Sequence, residues 1–217
     1  MRMKKILAMV ATLLLASTSL GASSVYQVEL LVYAHLTPGG IASEHWPALV
    51  GHNDAQPRNA ITLQPVSSAP LNAYPTLTYL PSHAWHLTKD GQRIENNLKG
   101  KILYHQAWRV SRSMLTEKTR LFVIQTLSES SMNNLTGTFS IRLARYFDTD
   151  LRLTIQEPTR TIRPYLSEQS NPCWHGDSCY FSLNMQRRTR SETLNYLDHP
   201  LYGILLEITP VSSGILS

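Results

Sequence analysis

The sequence predicts an α+β fold: an antiparallel β-sheet of about seven strands with one short helix and a long Pro/Gly-rich N-terminal loop region. Three observations predict it. Apolar residues recur with period two through most of the second half. One window alone carries helix signals, around residues 89–98. Breakers crowd the stretch from Pro38 to Pro81.

The chain opens Met-Arg-Met-Lys-Lys, continues with an apolar run from Ile6 to Leu15, and then turns to small residues from Ala16 to Ser24. A positive start, a short apolar core and a small-residue zone are the parts of a secretory signal peptide. Residues 1–24 are therefore expected to be removed, with cleavage after Gly21 or Ser24, leaving a single domain over 25–217. The apolar core is too short to span a bilayer. No cysteine lies at the cleavage zone, so a lipid anchor is not indicated. Removal of Arg2, Lys4 and Lys5 lowers the formal charge from +5 to about +2.

Tyr26 to Ala34 reads as the first strand of the mature chain, with Val28, Leu30 and Val32 on one side. The breaker-rich arm 38–81 follows. Lys89 to Leu98 reads as the helix, with Thr88 as cap, Asp90 in the first turn and Gly100 closing it. Lys101–Arg109 and Leu121–Leu127 read as strands. A hairpin comes next: Phe139, Ile141 and Leu143 alternate with Ser140 and Arg142, and Leu151, Leu153 and Ile155 alternate with Arg152 and Thr154. The turn between them is placed at Phe147-Asp148-Thr149-Asp150, and Arg142 and Arg152 are placed on the polar face. Tyr180–Met185 and Tyr202–Thr209 complete the set. Leu201–Ile208 is apolar but short and interrupted by Gly203 and Glu207, so it is a buried strand, and the mature chain has no transmembrane segment. An outer-membrane barrel fits poorly, because several strands are too short and the irregular arm is too long.

Two cysteines, Cys173 and Cys179, are expected to pair in an oxidising compartment. The loop Cys-Trp-His-Gly-Asp-Ser-Cys would be stabilised by about 2 kcal/mol. The rival reading, a metal loop, offers only those two thiols and His175. Eight histidines are scattered through the chain, only His83 and His86 lie close together, and no HExxH occurs, so no metal and no cofactor are expected. There is no Gly-x-Ser-x-Gly nucleophile setting and no Gly-rich phosphate loop. Export and few lysines (Lys89, Lys99, Lys101 and Lys118) argue against nucleic acid. The cations are mostly arginine: Arg109 to Arg190 holds eleven Arg and one Lys against seven acids. Surface ion pairing is the ordinary use of such residues, but their planar forks also suit carboxylates and phosphates.

The segment from Gln186 to Ile204 is the most distinctive. Arg187, Arg188, Arg190 and Ser191 are followed by Tyr196-Leu197-Asp198-His199-Pro200-Leu201 and Gly203. This block resembles the CsiV family of periplasmic peptidoglycan-binding proteins, which carries an Arg-Arg-Met-Arg-Ser run and then Glu-Leu-His-Tyr-Leu-Asp-His-Pro-Leu-Phe-Gly. Thr189, Asn195 and Tyr202 depart from that pattern. Weaker similarities are Tyr26–Val32, Glu44-His45-Trp46-Pro47, His105-Gln106-Ala107-Trp108-Arg109 and Leu135 through Arg145-Tyr146.

The resemblance implies a periplasmic, non-catalytic protein that binds peptidoglycan and supports cell-wall assembly and cell shape. It also implies two protein partners, a class A penicillin-binding protein and its outer-membrane lipoprotein activator. The family brings no catalytic residues. Arginine forks grip the carboxylates of stem peptides, and aromatic rings cover sugar faces. Arg187, Arg188, Arg190 and Tyr196, Arg145 and Tyr146, and Trp108 and Arg109 are therefore the candidate ligand residues. Core packing competes for Trp108, hairpin closure for Arg145-Tyr146, and a structural turn for Asp198-His199-Pro200, with Asp198 bonding backbone amides. The alternatives in other classes are a peptidoglycan-modifying hydrolase and an envelope scaffold that binds only proteins.

Overall fold

A computed structural model describes residues 25–35, 60–63, 77–126, 134–165 and 176–211. The signal-like segment 1–24, most of the arm 38–81, and Cys173 lie outside the described residues.

Ten strands are present among the described residues, against about seven expected. They are β1 (Val25–Ala34), β2 (Ile61–Leu63), β3 (Leu77–Tyr79), β4 (Lys101–Ser111), β5 (Arg120–Thr126), β6 (Asn134–Leu143), β7 (Phe147–Pro158), β8 (Ser178–Thr189), β9 (Asn195–His199) and β10 (Tyr202–Val211). The three unforeseen strands, β2, β3 and β9, are too short to show a periodicity. The strands form two sheets, ordered β3-β4-β1-β10-β9 and β2-β5-β6-β7-β8. All neighbours are antiparallel except the short edge pair β2–β5.

The helix is α1 (Thr88–Asn97). Two further short helices, α2 (Arg112–Glu117) and α3 (Thr159–Ile162), correct the expectation of one.

The sheets pack face to face, and the core lies between them. Trp108 of β4 meets Phe122 of β5 and Phe139 of β6 at ring-centroid distances of 5.7 and 6.0 Å. Tyr26 of β1 meets Phe147 of β7 edge-on at 5.0 Å. β1 occupies the middle of its sheet and is buried on both faces from Tyr26 to Ala34. Its even positions, Tyr26 to Ala34, join the inter-sheet core. Leu31 and Tyr33 point the other way and pack with Leu87, Ile94 and Leu205 beneath α1. That second burial explains why the run reads as apolar throughout rather than alternating.

Both ends of α1 differ from expectation. The N-cap is Leu87, without a side-chain cap bond, and Thr88 Oγ1 instead donates to Trp85 O at 3.3 Å. The capping acceptor comes from the sheet: Glu29 takes the amides of His86 at 2.7 Å and Leu87 at 2.9 Å. A carboxylate there also opposes the positive end of the helix dipole. At the C-terminus, Lys99 holds the left-handed conformation at φ 50°, while Gly100 N donates to Ile94 O at 3.0 Å. Gly100 is required by space: a Cβ would stand 2.6 Å from Ile94 Cγ2 and 3.0 Å from Ala34 O.

The β6–β7 turn is also corrected. It lies at Ala144-Arg145-Tyr146, because Leu143 pairs with Phe147 and the strand continues to Pro158. Asp148 and Asp150 resemble turn residues in sequence. In the sheet they occupy outward positions between buried Phe147, Thr149 and Leu151, so the alternation runs straight through them.

The Asp198-His199-Pro200 element forms the β9–β10 hairpin, with His199 paired to Tyr202. The amide of Leu201 is accepted by His199 Nδ1 at 3.2 Å, not by Asp198 as the structural reading expected. Accepting a bond at Nδ1 requires a neutral ring. Burial lowers the pKa of His199 to about 4, nearby His35 adds to the shift, and Asp198 opposes it.

Candidate ligand-binding site

Alternation along β6, β7 and β8 sends every second side chain to the outer face of their sheet. Near the β6–β7 turn this face carries cross-strand rows. Arg142, Asp148 and Arg188 are in register across the three strands, as are Ser140, Asp150 and Gln186. Arg188 Nε donates to Asp148 Oδ1 at 2.8 Å. Arg152 grips Asp150 through two bonds, of 3.2 and 2.8 Å. Each aspartate raises the pKa of its arginine by hydrogen bond and charge, so both guanidiniums stay ionised. The rows floor a groove of about 640 Å³ lined by Arg142, Arg187, Arg188, Asp148, Asp150 and Gln186 among others.

The turn residue Tyr146 stands beside the end of β8. The guanidinium carbons of Arg145 and Arg190 each lie 5.7 Å from its ring centroid, within cation–π range. Residues 145–146 and 187–190, more than forty positions apart in sequence, therefore meet at one end of one sheet. Among the described residues no carboxylate forms an ion pair with Arg142, Arg145, Arg187 or Arg190. A groove lined by Arg142 and Arg187, with Arg145 and Arg190 nearby, is suited to anionic ligands, carboxylates above all.

The other candidates are not part of this cluster. Trp108 is 0% exposed between the sheets, so its ring has no face for a ligand. Arg109 lies half-buried on the far face of the other sheet, in register with Gln27 and Thr78. Tyr196 is 46% exposed, but on β9 of that same sheet, where its hydroxyl donates to Asp198 Oδ1 at 2.8 Å. Cys179 is buried with Sγ 3.8 Å from Thr159 Oγ1, and Cys173 lies outside the described residues.

Arg142 was legible as an outward residue, yet only the three-strand register joins it to the groove. A second polar cluster had no sequence signal at all. Glu29 of β1, His86 before α1 and Glu207 of β10 place their ligand-capable atoms within 4.8 Å of one another. His86 Nδ1 lies 3.2 Å from Glu207 Oε2, and His105 Nε2 lies 2.7 Å from Glu29 Oε1. These are the residues that could hold a metal ion.

No helix among the described residues is long and apolar enough to cross a membrane. Neither the curated proteins nor the solved structures contain a match to this chain. A family model described as "Peptidoglycan-binding protein, CsiV" matches residues 5–211, nearly the whole sequence, and the chain therefore belongs to the CsiV family.

Proposed function

We propose that this protein binds peptidoglycan in the cell envelope through the arginine-edged groove at the β6–β7–β8 end of the second sheet. One observation carries the reading: Arg145 and Tyr146 converge with Arg187, Arg188 and Arg190 beside a groove that Arg142 also lines. Stem peptides present carboxylates, and a guanidinium fork matches a carboxylate with two parallel hydrogen bonds. Tyr146 adds a ring that can cover an apolar sugar face.

In this reading the chain is exported, loses residues 1–24, and closes Cys173 and Cys179 into a disulfide in the periplasm. It performs no chemistry on the wall. It supports wall assembly through a class A penicillin-binding protein and its lipoprotein activator, the partners that the resemblance of its C-terminal block implies. Trp108, Arg109 and Tyr196 take no part in the contact, since they lie in the core or on the other sheet.

The test is co-sedimentation with purified sacculi. The parent protein is expected in the pellet with no muropeptides released into the supernatant. The triple variant Arg187→Ala, Arg188→Ala, Arg190→Ala is expected to stay in the supernatant with its circular dichroism unchanged. Normal pelleting of the triple variant would reject this groove. Released fragments would reject the non-catalytic reading and favour a hydrolase.

A further inference from the structure

We propose that Glu29, His86 and Glu207 form a binding site for a divalent transition-metal ion, with Zn²⁺ the best match. The site lies on the face of the first sheet that α1 covers, away from the arginine groove.

The case starts from strand register. Glu29 on β1 and Glu207 on β10 are direct cross-strand partners. Like charges in that position destabilise a sheet unless something positive sits with them. Among the described residues no lysine or arginine pairs with either carboxylate; their close basic partners are the imidazoles of His86 and His105. One imidazole and two carboxylates, from three separate elements, converge within 4.8 Å.

One pair of the three ligand atoms has the spacing of metal ligands. Zinc holds nitrogen and oxygen ligands at about 2.0–2.2 Å, which sets ligand-to-ligand distances of roughly 3.4 Å in a tetrahedron. His86 Nδ1 and Glu207 Oε2 are 3.2 Å apart. Glu29 is 0% exposed and already oriented: Oε2 accepts the His86 amide, and Oε1 accepts the Leu87 amide and faces His105 Nε2. A carboxylate offers about four lone-pair sites, and these three close donors leave one for a cation. Gln27 Nε2 approaches Oε2 only at 3.5 Å. Outer partners of this kind hold a metal-ligating carboxylate in place. The side chain of His86 is 48% exposed, which provides an entry path and room for a water as fourth ligand. An imidazole in the set favours zinc over magnesium or calcium. A bound ion would clasp the segment leading into α1 onto β1 and β10.

The experiment uses untagged full-length protein stripped with EDTA, titrated calorimetrically with ZnCl₂ and separately with MgCl₂, alongside thermal unfolding. One equivalent of zinc is expected to bind saturably and raise the unfolding temperature, with no response to magnesium. His86→Gln and Glu207→Gln are each expected to weaken zinc binding at least tenfold with unchanged circular dichroism, whereas His83→Gln binds as the parent does. If one variant misfolds, the other decides. Absence of saturable zinc binding, or undiminished binding in a folded His86→Gln or Glu207→Gln variant, would overturn the site. Sacculus binding is not the readout, so the outcome is independent of the groove.

Discussion

The two sheets share one core but use their outer faces in opposite ways. The first sheet is covered by α1, and the charged groups there are turned inward: Glu29 is buried and holds two backbone amides and a histidine. The second sheet carries Arg142 and Arg188 on its outer face, both exposed, with exposed Arg187 at the alternate position of the strand and Tyr146 and Arg190 beside its end. A buried charge must be well bonded to be tolerated, so most of its bonding goes to local structure. An exposed arginine contributes little to stability and stays available to a ligand. The difference separates a face that holds the fold together from one that reaches outward.

The largest effect is expected from attacking the core that the faces share. Trp108→Ala empties the centre of the core, and a loss of about 3–5 kcal/mol is expected. Denaturant unfolding should remain a single transition by far-UV and near-UV signals. Two separate transitions would mean that the sheets are independent units and that the faces belong to different bodies.

Next in size is the covered face. Glu29→Gln cannot accept all the bonds that the carboxylate accepts, and about 3 kcal/mol should be lost. Amide exchange is expected to speed up first at His86, Leu87 and α1, with the β6–β8 amides still protected. Uniform loss of protection would contradict a local role.

The shared core also contains a titrating group. Glu157 is 1% exposed, and burial raises its pKa from 4.5 to about 7, against the opposing effects of Lys101 and the Tyr202 hydroxyl. The folded state therefore binds this proton more tightly than the unfolded state does. The resulting stability is full below pH 4.5 and is lost as the pH rises to about 7. Its size is roughly 3 kcal/mol. His199 acts with the opposite sign: its pKa is lowered from 6.5 to about 4, so stability falls as the pH drops through that range. Glu157→Gln should remove the first slope and leave stability rising with pH below neutrality. An unchanged profile would show that Glu157 does not titrate in this way.

The smallest stability effect is expected where binding changes most. Replacing Arg187, Arg188 and Arg190 by alanine should alter the unfolding free energy by no more than about 0.5 kcal/mol. A large destabilisation would make those arginines structural and erase the contrast between the faces.

Much of the fold was legible in the sequence wherever one face was buried for long enough. β6 and β7 alternate over ten residues or more, and β8 ends at the arginine run as expected. The short strands β2, β3 and β9 escaped because three to five residues carry no period. The β6–β7 turn was misplaced because aspartate is common in turns, whereas here Asp148 pairs across the strands with Arg188 and Asp150 with Arg152 two residues along its own strand. Part of the candidate site was legible too: the arginine triplet and Arg145-Tyr146 stood out as residues, without any sign that they would meet.

By itself, then, the sequence determined the strand-rich class, the core positions and the arginine run, because side-chain periodicity and composition are local properties of the chain. Tertiary structure alone decided that Tyr146 lies beside Arg190, that Trp108 is sealed inside, and that Glu29, His86 and Glu207 converge. Those outcomes depend on which strands become neighbours and in what register. Register is set by the sum of many weak cross-strand contacts, and no single segment carries that sum.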